Sequence, residues 1–100
     1  MAILISKKIR EKLADANHRV DEQEIIECFA NRTAGFLTDS REEHKTDPET
    51  LWFVAETDYG RKIKIMFVPN AGNIYIKSAY PATEQIQRIY SAKARGENHD

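Results

Sequence analysis

The 100-residue chain has little of what stapled secreted domains and membrane proteins depend on. It contains one cysteine, Cys28, so an intrachain disulfide is excluded, and with it a disulfide-stapled secreted domain. No apolar run approaches the roughly 18–20 residues that a membrane helix needs. The apolar start at residues 1–5 is far too short for the core of a signal peptide. We therefore predict a cytoplasmic protein with no membrane partner.

The chain also lacks an excess of charge of either sign. Its 15 basic and 16 acidic side chains give a formal net charge of −1. Strong non-specific binding to nucleic acid usually needs a basic excess, so the balance argues against it, although a local basic face is still allowed. The apolar fraction of 41% suffices for one modest core. We predict a single α+β domain over residues 1–94 and a frayed polar tail over residues 95–100.

Two helices are predicted in the first third of the chain. Ser6 is a plausible N-cap for a short amphipathic helix over residues 6–16. In the second helix, Asp21 and Glu24 have the spacing of a capping box, and Val20 and Ile25 that of a hydrophobic staple. This helix is expected to end near residues 30–31, with a buried stripe of Ile25, Ile26 and Phe29. Together the two helices would form a helical hairpin.

A sheet and a third helix are predicted for residues 51–94. Period-two alternation marks strands around Ile65 and Ile76, joined by a turn at residues 70–73. A three-residue loop with Gly60 left-handed pairs Phe53 with Ile65 in the preceding hairpin, since a two-residue loop fits its sequence poorly. That register turns Trp52 away from the core. With a weak strand at residues 34–38, the expected sheet has three to four antiparallel strands, and a helix follows over residues 83–94.

The non-core face of this sheet is the first candidate binding surface. It interleaves aromatic rings with lysines, which suits RNA because lysine meets phosphate and a ring stacks on a base. An ordinary solvated face or a protein-binding face is the alternative. Ser78 belongs to the junction before the last helix, which is either a phosphate site or only a helix cap. The RNA- or partner-binding candidates are Trp52, Lys62, Lys64, Tyr75 and Ser78.

No cofactor or metal site is predicted. The polar connection over residues 39–50 carries carboxylates and His44, but their spacing matches no recognised metal-ligand motif. Cys28 lacks the histidine and amide partners of a nucleophilic cysteine at any known spacing, and is expected to be a small packed residue.

Several short motifs carry a family resemblance. They are Phe53-Val54-Ala55, Asp58-Tyr59-Gly60-Arg61, Ile74-Tyr75-Ile76-Lys77-Ser78-Ala79, Ala82-Thr83, Tyr90 and, near the N-terminus, His18-Arg19-Val20. Together they resemble BrnT-type toxins of the RelE/ParE-like group. The resemblance implies a RelE-like fold and a metal-independent endoribonuclease inhibited by a partner antitoxin. Carried onto this chain, it implies catalytic roles for Arg61, Lys77, Arg88 and Tyr90. Apart from the resemblance, His44 is an alternative to Tyr90 as the proton-transfer group.

A second hypothesis is a non-enzymatic interaction domain on the same scaffold. It rests on the near-neutral charge and on the absence of basic residues beside Ala82 and Thr83. Such a domain would bind a partner protein, or form a homodimer, through the face that carries Trp52, Met66 and Tyr75.

Overall fold

A computed structural model describes residues 2–39 and 49–94 of the protein. The predictions for His44 and for the tail over residues 95–100 lie outside the described residues. In chain order the elements are β1 (Ile3–Leu4), α1 (Lys7–Leu13), α2 (Glu22–Asn31), β2 (Leu37–Thr38), β3 (Leu51–Glu56), β4 (Lys62–Asn70), β5 (Asn73–Pro81) and α3 (Glu84–Ala94).

The five strands form one mixed sheet in the order β1-β5-β4-β3-β2. The expected α+β class is confirmed, but the expectation of three to four purely antiparallel strands is wrong. Ile3 and Leu4 pair in parallel with Ile74 and Tyr75, and the Ile74 N–H donates to the carbonyl of Ala2 at 2.8 Å. β1 has only two residues, too few to show an alternating pattern in the sequence, so only its pairing with the distant β5 identifies it as a strand. The helical hairpin and the RelE-like topology stay predictions.

The predicted register of the first hairpin is confirmed. The Thr57 N–H donates to the Arg61 carbonyl at 2.9 Å, and Gly60 has φ of +84°. Phe53 consequently pairs with Ile65, and both are fully buried. Side chains alternate along a strand, so Trp52 lies on the other face of the sheet.

A bulge in β5 was not predicted. Met66 pairs with Ser78 and Phe67 with Ile76, which leaves Lys77 without an opposite residue on β4. The extra residue resets the alternation, so Ile76 and Ala79 both face the core although three positions separate them. Strict period-two reading of the sequence continues through this point and cannot detect the reset.

Both N-terminal helices have the predicted caps. The Ser6 hydroxyl accepts the Ile9 N–H at 3.2 Å, and both hydrogen bonds of the capping box between Asp21 and Glu24 are present. The helix predicted over residues 6–16 ends earlier, at Leu13, because the Asp15 carboxylate accepts the next free N–H groups and stabilises a turn.

The buried stripe of α2 differs from the prediction at one position. Ile26 is 42% exposed, so its assignment to the core is wrong, whereas Cys28 is fully buried as predicted. Ile25 and Cys28 are three positions apart and share one face of the helix, while Ile26 is turned about 100° away from Ile25. The sheet contacts only the face of α2 that carries Ile25 and Cys28.

The helices lie on both faces of the sheet. Leu13 of α1 and Ile25 of α2 pack with Phe53 in the main core. On the opposite face, Tyr90 of α3 packs against Trp52 with ring centroids 5.7 Å apart. The predicted third helix is confirmed, and the Thr83 hydroxyl accepts the Ile86 N–H at its start. No helix within the described ranges is long and apolar enough to cross a membrane.

Candidate functional site

Arg61, the first predicted catalytic residue, links the first hairpin to the turn between α1 and α2. Its Nη1 contacts both carboxylate oxygens of Glu24 at 2.9 Å and donates to the Arg19 carbonyl at 2.6 Å. Its Nη2 donates to the His18 carbonyl at 3.3 Å. The guanidinium therefore already has partners that stabilise the fold.

Tyr90 is engaged in a similar way. Its hydroxyl donates to the Gly35 carbonyl at 2.6 Å. Burial raises the pKa of Tyr90 above its ordinary value, so the phenol remains protonated at neutral pH and continues to donate. Gly35 is 55 residues away in sequence, which makes this hydrogen bond a long-range tie between α3 and the segment that precedes β2.

Lys77 and Arg88 are exposed, and Lys77 lies apart from Arg61. Arg88 forms an ion pair at 3.1 Å with Glu84, one turn earlier on α3. Lys77 is the extra residue of the β5 bulge, between Ile76 and Ser78, which pair with Phe67 and Met66. Met66 is five residues along β4 from Arg61, a separation of about 17 Å along the strand. Arg61 and Lys77 are therefore not neighbours in one compact site.

The predicted binding residues divide into covered and open positions. Lys64 and Ser78 are each only 7% exposed, and Trp52 is half-buried. The Lys64 Nζ lies 4.5 Å from the centroid of the Trp52 ring. Lys62 and Tyr75 are exposed. Much of this face is therefore covered, and Trp52 does not provide an open platform for a base to stack on.

A groove of about 660 Å³ runs along the outer edge of β3, between α2 and α3. Ala34, Val54, Ala55 and Tyr90 give it an apolar middle. Its polar lining residues are Asn31, Thr33, Glu56, Thr57, Asp58, Lys62, Gln87 and Ser91. The volume lies within the range of about 300–1,000 Å³ that ligand sites occupy.

The outer edge of β3 is unpaired at Val54, inside this groove. Thr57 forms its main-chain bond toward β4, so the alternation of an antiparallel ladder points the N–H and C=O of Val54 to the outer edge. Neither group has a hydrogen-bond partner within residues 2–39 and 49–94. β2 closes the same edge only as far as Trp52, which pairs with Leu37.

The hydrogen bond from Tyr90 accounts for the early end of β2. Continuation of the β2–β3 register by two residues would set Gly35 opposite Val54. The Gly35 carbonyl instead accepts from the Tyr90 hydroxyl, and the Ala34 carbonyl accepts from Arg32 at 2.6 Å. These two bonds engage the segment that would otherwise cover Val54, and the edge stays open.

One end of the groove is acidic and well anchored. The side-chain amide of Asn31 donates to the Glu56 carbonyl and to the Asp58 carboxylate, each at 2.9 Å. The Asp58 N–H donates to Glu27 at 2.9 Å. These contacts to α2 fix the end of β3, and the exposed Glu56 adds a second carboxylate to the lining of the groove.

Sequence reasoning missed this groove. The predicted strand over residues 34–38 would have covered Val54, and only residues 37–38 are β-strand. The deciding contact joins residues 35 and 90, and no local pattern encodes it.

Within the described ranges there is no cluster of three or more residues able to hold a metal ion.

Comparisons of the chain with protein-family models, curated proteins and solved structures gave no match. The resemblance to BrnT-type toxins accordingly rests on the sequence motifs alone.

Proposed function

We propose that the protein is an interaction domain that binds an extended segment of a partner protein along the open edge of β3. The unpaired N–H and C=O of Val54 carry this proposal, because they face a groove of about 660 Å³. Addition of a strand at a sheet edge supplies a donor and an acceptor to such groups, and neighbouring pockets receive alternate side chains. An antitoxin, as implied by the BrnT resemblance, is one partner of this kind.

The lining of the groove indicates what the bound segment contains. Beside Val54, the groove is lined by Ala34 and Tyr90 and favours an apolar side chain. Toward Glu56 and Asp58 it carries two carboxylates against the single charge of Lys62, so it favours a basic side chain. Residues on one face of a strand are two apart, so we expect an apolar and a basic residue at positions i and i+2 of the segment.

Amide hydrogen exchange measured by NMR tests the premise in the free protein. The Val54 amide should exchange much faster than those of Phe53 and Ala55, which point toward β4. Protection of Val54 that grows with protein concentration would identify a second copy as the occupant and would contradict a distinct partner.

A peptide selected from a displayed library of random extended sequences tests binding itself. The bound peptide should protect the Val54 amide, and N-methylation of the peptide amide that faces Val54 should abolish binding. N-methylation one residue further along should leave binding almost unchanged, since that amide points away from β3. Equal binding by both methylated peptides, or an unprotected Val54 amide in the complex, would refute strand addition.

Glu56→Lys tests the expected charge of the peptide without disturbing the core, because Glu56 is exposed. The variant should bind the selected peptide about tenfold more weakly, since one attractive charge becomes repulsive. Glu11→Lys makes the same charge change at an exposed position of α1 and serves as the matched control. An equal loss of affinity in both variants would contradict local recognition at the groove.

We further propose, as a second candidate, the metal-independent ribonuclease activity that the resemblance implies. Lys77 supports it, because this exposed residue of the β5 bulge has no pairing partner on β4. The exposed ring of Tyr75 on the same strand is the second support. Expression in cells should arrest growth, the purified chain should cleave RNA in the presence of a chelator, and Lys77→Ala should reduce both effects. Absence of growth arrest and of cleavage by the unmodified chain would exclude this function.

A further inference from the structure

A second cavity, separate from the β3-edge groove, lies between α3 and the opposite face of the sheet. Its volume is about 370 Å³. Leu37, Trp52, Ile86 and Ile89 form its apolar wall. Its polar lining residues are Thr38, Asp39, Lys64 and Lys93.

Lys64 is the unusual residue of this cavity. It is 7% exposed, yet no carboxylate within residues 2–39 and 49–94 lies within ion-pair distance of it. Its described contacts are the rings of Trp52 at 4.5 Å and Tyr80 at 5.7 Å. A lysine is almost never so buried without a partner of opposite charge. Cation–π contact offsets only part of the cost of removing an ammonium group from water.

The Lys64 ammonium group is accessible from the cavity. No fully buried side-chain nitrogen or oxygen in the described ranges lacks a hydrogen-bond partner. No hydrogen bond joins the Lys64 Nζ to residues 2–39 or 49–94, so this atom is not fully enclosed, and Lys64 lines the cavity through which solvent or a ligand can reach it. Lys93 on α3 adds a second ammonium, so the lining carries two positive charges and the single negative charge of Asp39.

We propose that this cavity binds a small amphipathic carboxylate. The carboxylate would lie against the ammonium groups of Lys64 and Lys93, and an apolar or aromatic body would lie against Trp52, Ile86 and Ile89. Binding would supply a counter-charge to Lys64, which none of the described residues provides, and would cover the partly exposed Ile89. This site goes beyond the proposed docking of a peptide at β3 and uses none of the groups that carry that proposal.

Trp52 is the only tryptophan of the chain, so its fluorescence reports on this cavity directly. Titration with phenylbutyrate should change the emission of Trp52 in a saturable manner. Phenylbutanol has the same body without the charge and should bind at least tenfold more weakly, because a hydrogen bond between two charged groups is stronger than one to a neutral hydroxyl. Equal affinity for the acid and the alcohol, or no saturable signal up to the solubility limit of the acid, would overturn the proposal.

Lys64→Met keeps the length of the side chain and removes its charge. It should lose at least tenfold in affinity for phenylbutyrate, and its melting temperature should not fall, since an unpaired buried charge is removed. Lys8→Met makes the same change at an exposed position of α1 and should leave the affinity unchanged. Unchanged affinity in Lys64→Met would refute the site.

Lys93→Met tests the same cavity in case Lys64→Met fails to fold. Lys93 is exposed on α3, so its replacement should not disturb the core. We expect it to weaken phenylbutyrate several-fold, and wild-type affinity in this variant would count against the proposed site.

Discussion

The guanidinium of Arg61 lies between two main-chain carbonyls and the carboxylate of Glu24. The side chains of Arg61 and Glu24 are 34% and 22% exposed, so this ion pair is shielded more than a surface pair. Arg61→Met should lower the free energy of unfolding by about 1–3 kcal/mol, because Glu24 and both carbonyls lose a donor. Urea denaturation measures the change.

Arg88→Met is the matched control for Arg61→Met. It removes the same group from an ion pair whose partners are 76% and 80% exposed, and stability should barely change. If Arg61→Met is as stable as the wild type, the structural role of Arg61 is refuted, and the catalytic role implied by the resemblance gains support.

The buried thiol of Cys28 makes the stability of the protein depend on pH. Burial raises its pKa to about 12 from an ordinary value of 9.0. The folded state favours the neutral thiol, so this contribution to stability is complete below the ordinary pKa and is lost as the pH rises toward the folded value. Between about pH 8 and pH 10, the free energy of unfolding should therefore fall less in Cys28→Ala than in the wild type. Parallel slopes for the two proteins would contradict this role of Cys28.

At the scale of elements, the Asp58–Gly60 loop sets the register of the sheet. Gly60 has φ of +84°, a conformation that costs other residues about 1–2 kcal/mol. Gly60→Ala should reduce the free energy of unfolding by about that amount. In Gly35→Ala the added methyl group meets nothing within 4 Å, and Gly35 does not have positive φ, so stability should change little. Urea denaturation of both variants checks the contrast, and equal losses would refute the assigned role of the loop.

At the scale of the whole molecule, β1 closes the edge of β5 across more than 70 residues of sequence. Ile3 packs against the core, whereas Leu4 points outward and is 39% exposed. Ile3→Ala should lower the free energy of unfolding by about 1–2 kcal/mol through lost burial, and Leu4→Ala by much less. Thermal and urea unfolding of the pair measure the difference. Equal effects would mean that β1 contributes no inward packing.

The predictable parts of the fold are those in which all the deciding residues are close in sequence. The capping box of Asp21 and Glu24, the Gly60 loop and the pairing of Phe53 with Ile65 each depend on a few neighbouring residues. The parallel strand at Ile3 escaped prediction because two residues are too few to show an alternating pattern. The bulge at Lys77 escaped prediction because it interrupts the alternation of side chains along β5. The covered position of Trp52 also escaped, since its register was predicted correctly but the packing of α3 over it was not.

The candidate site follows the same division. The family resemblance singled out Tyr90 and the alternating pattern of the sheet singled out Lys64, but their partners lie on other elements. Tyr90 is tied to Gly35, and that bond leaves Val54 open in the groove. Lys64 lies between Trp52 and Tyr80, and α3 completes the cavity that it lines.

The sequence by itself determined the α+β class, the caps of the helices, the glycine turn and the pairing that turns Phe53 and Ile65 into the core. These are consequences of short-range hydrogen bonding and of hydrophobic periodicity, both of which act within a few residues. The tertiary structure decided the mixed sheet, the open edge of β3 and the burial of Lys64. Each of these depends on contacts between distant segments, where the free energy comes from packing and pairing that no local pattern contains.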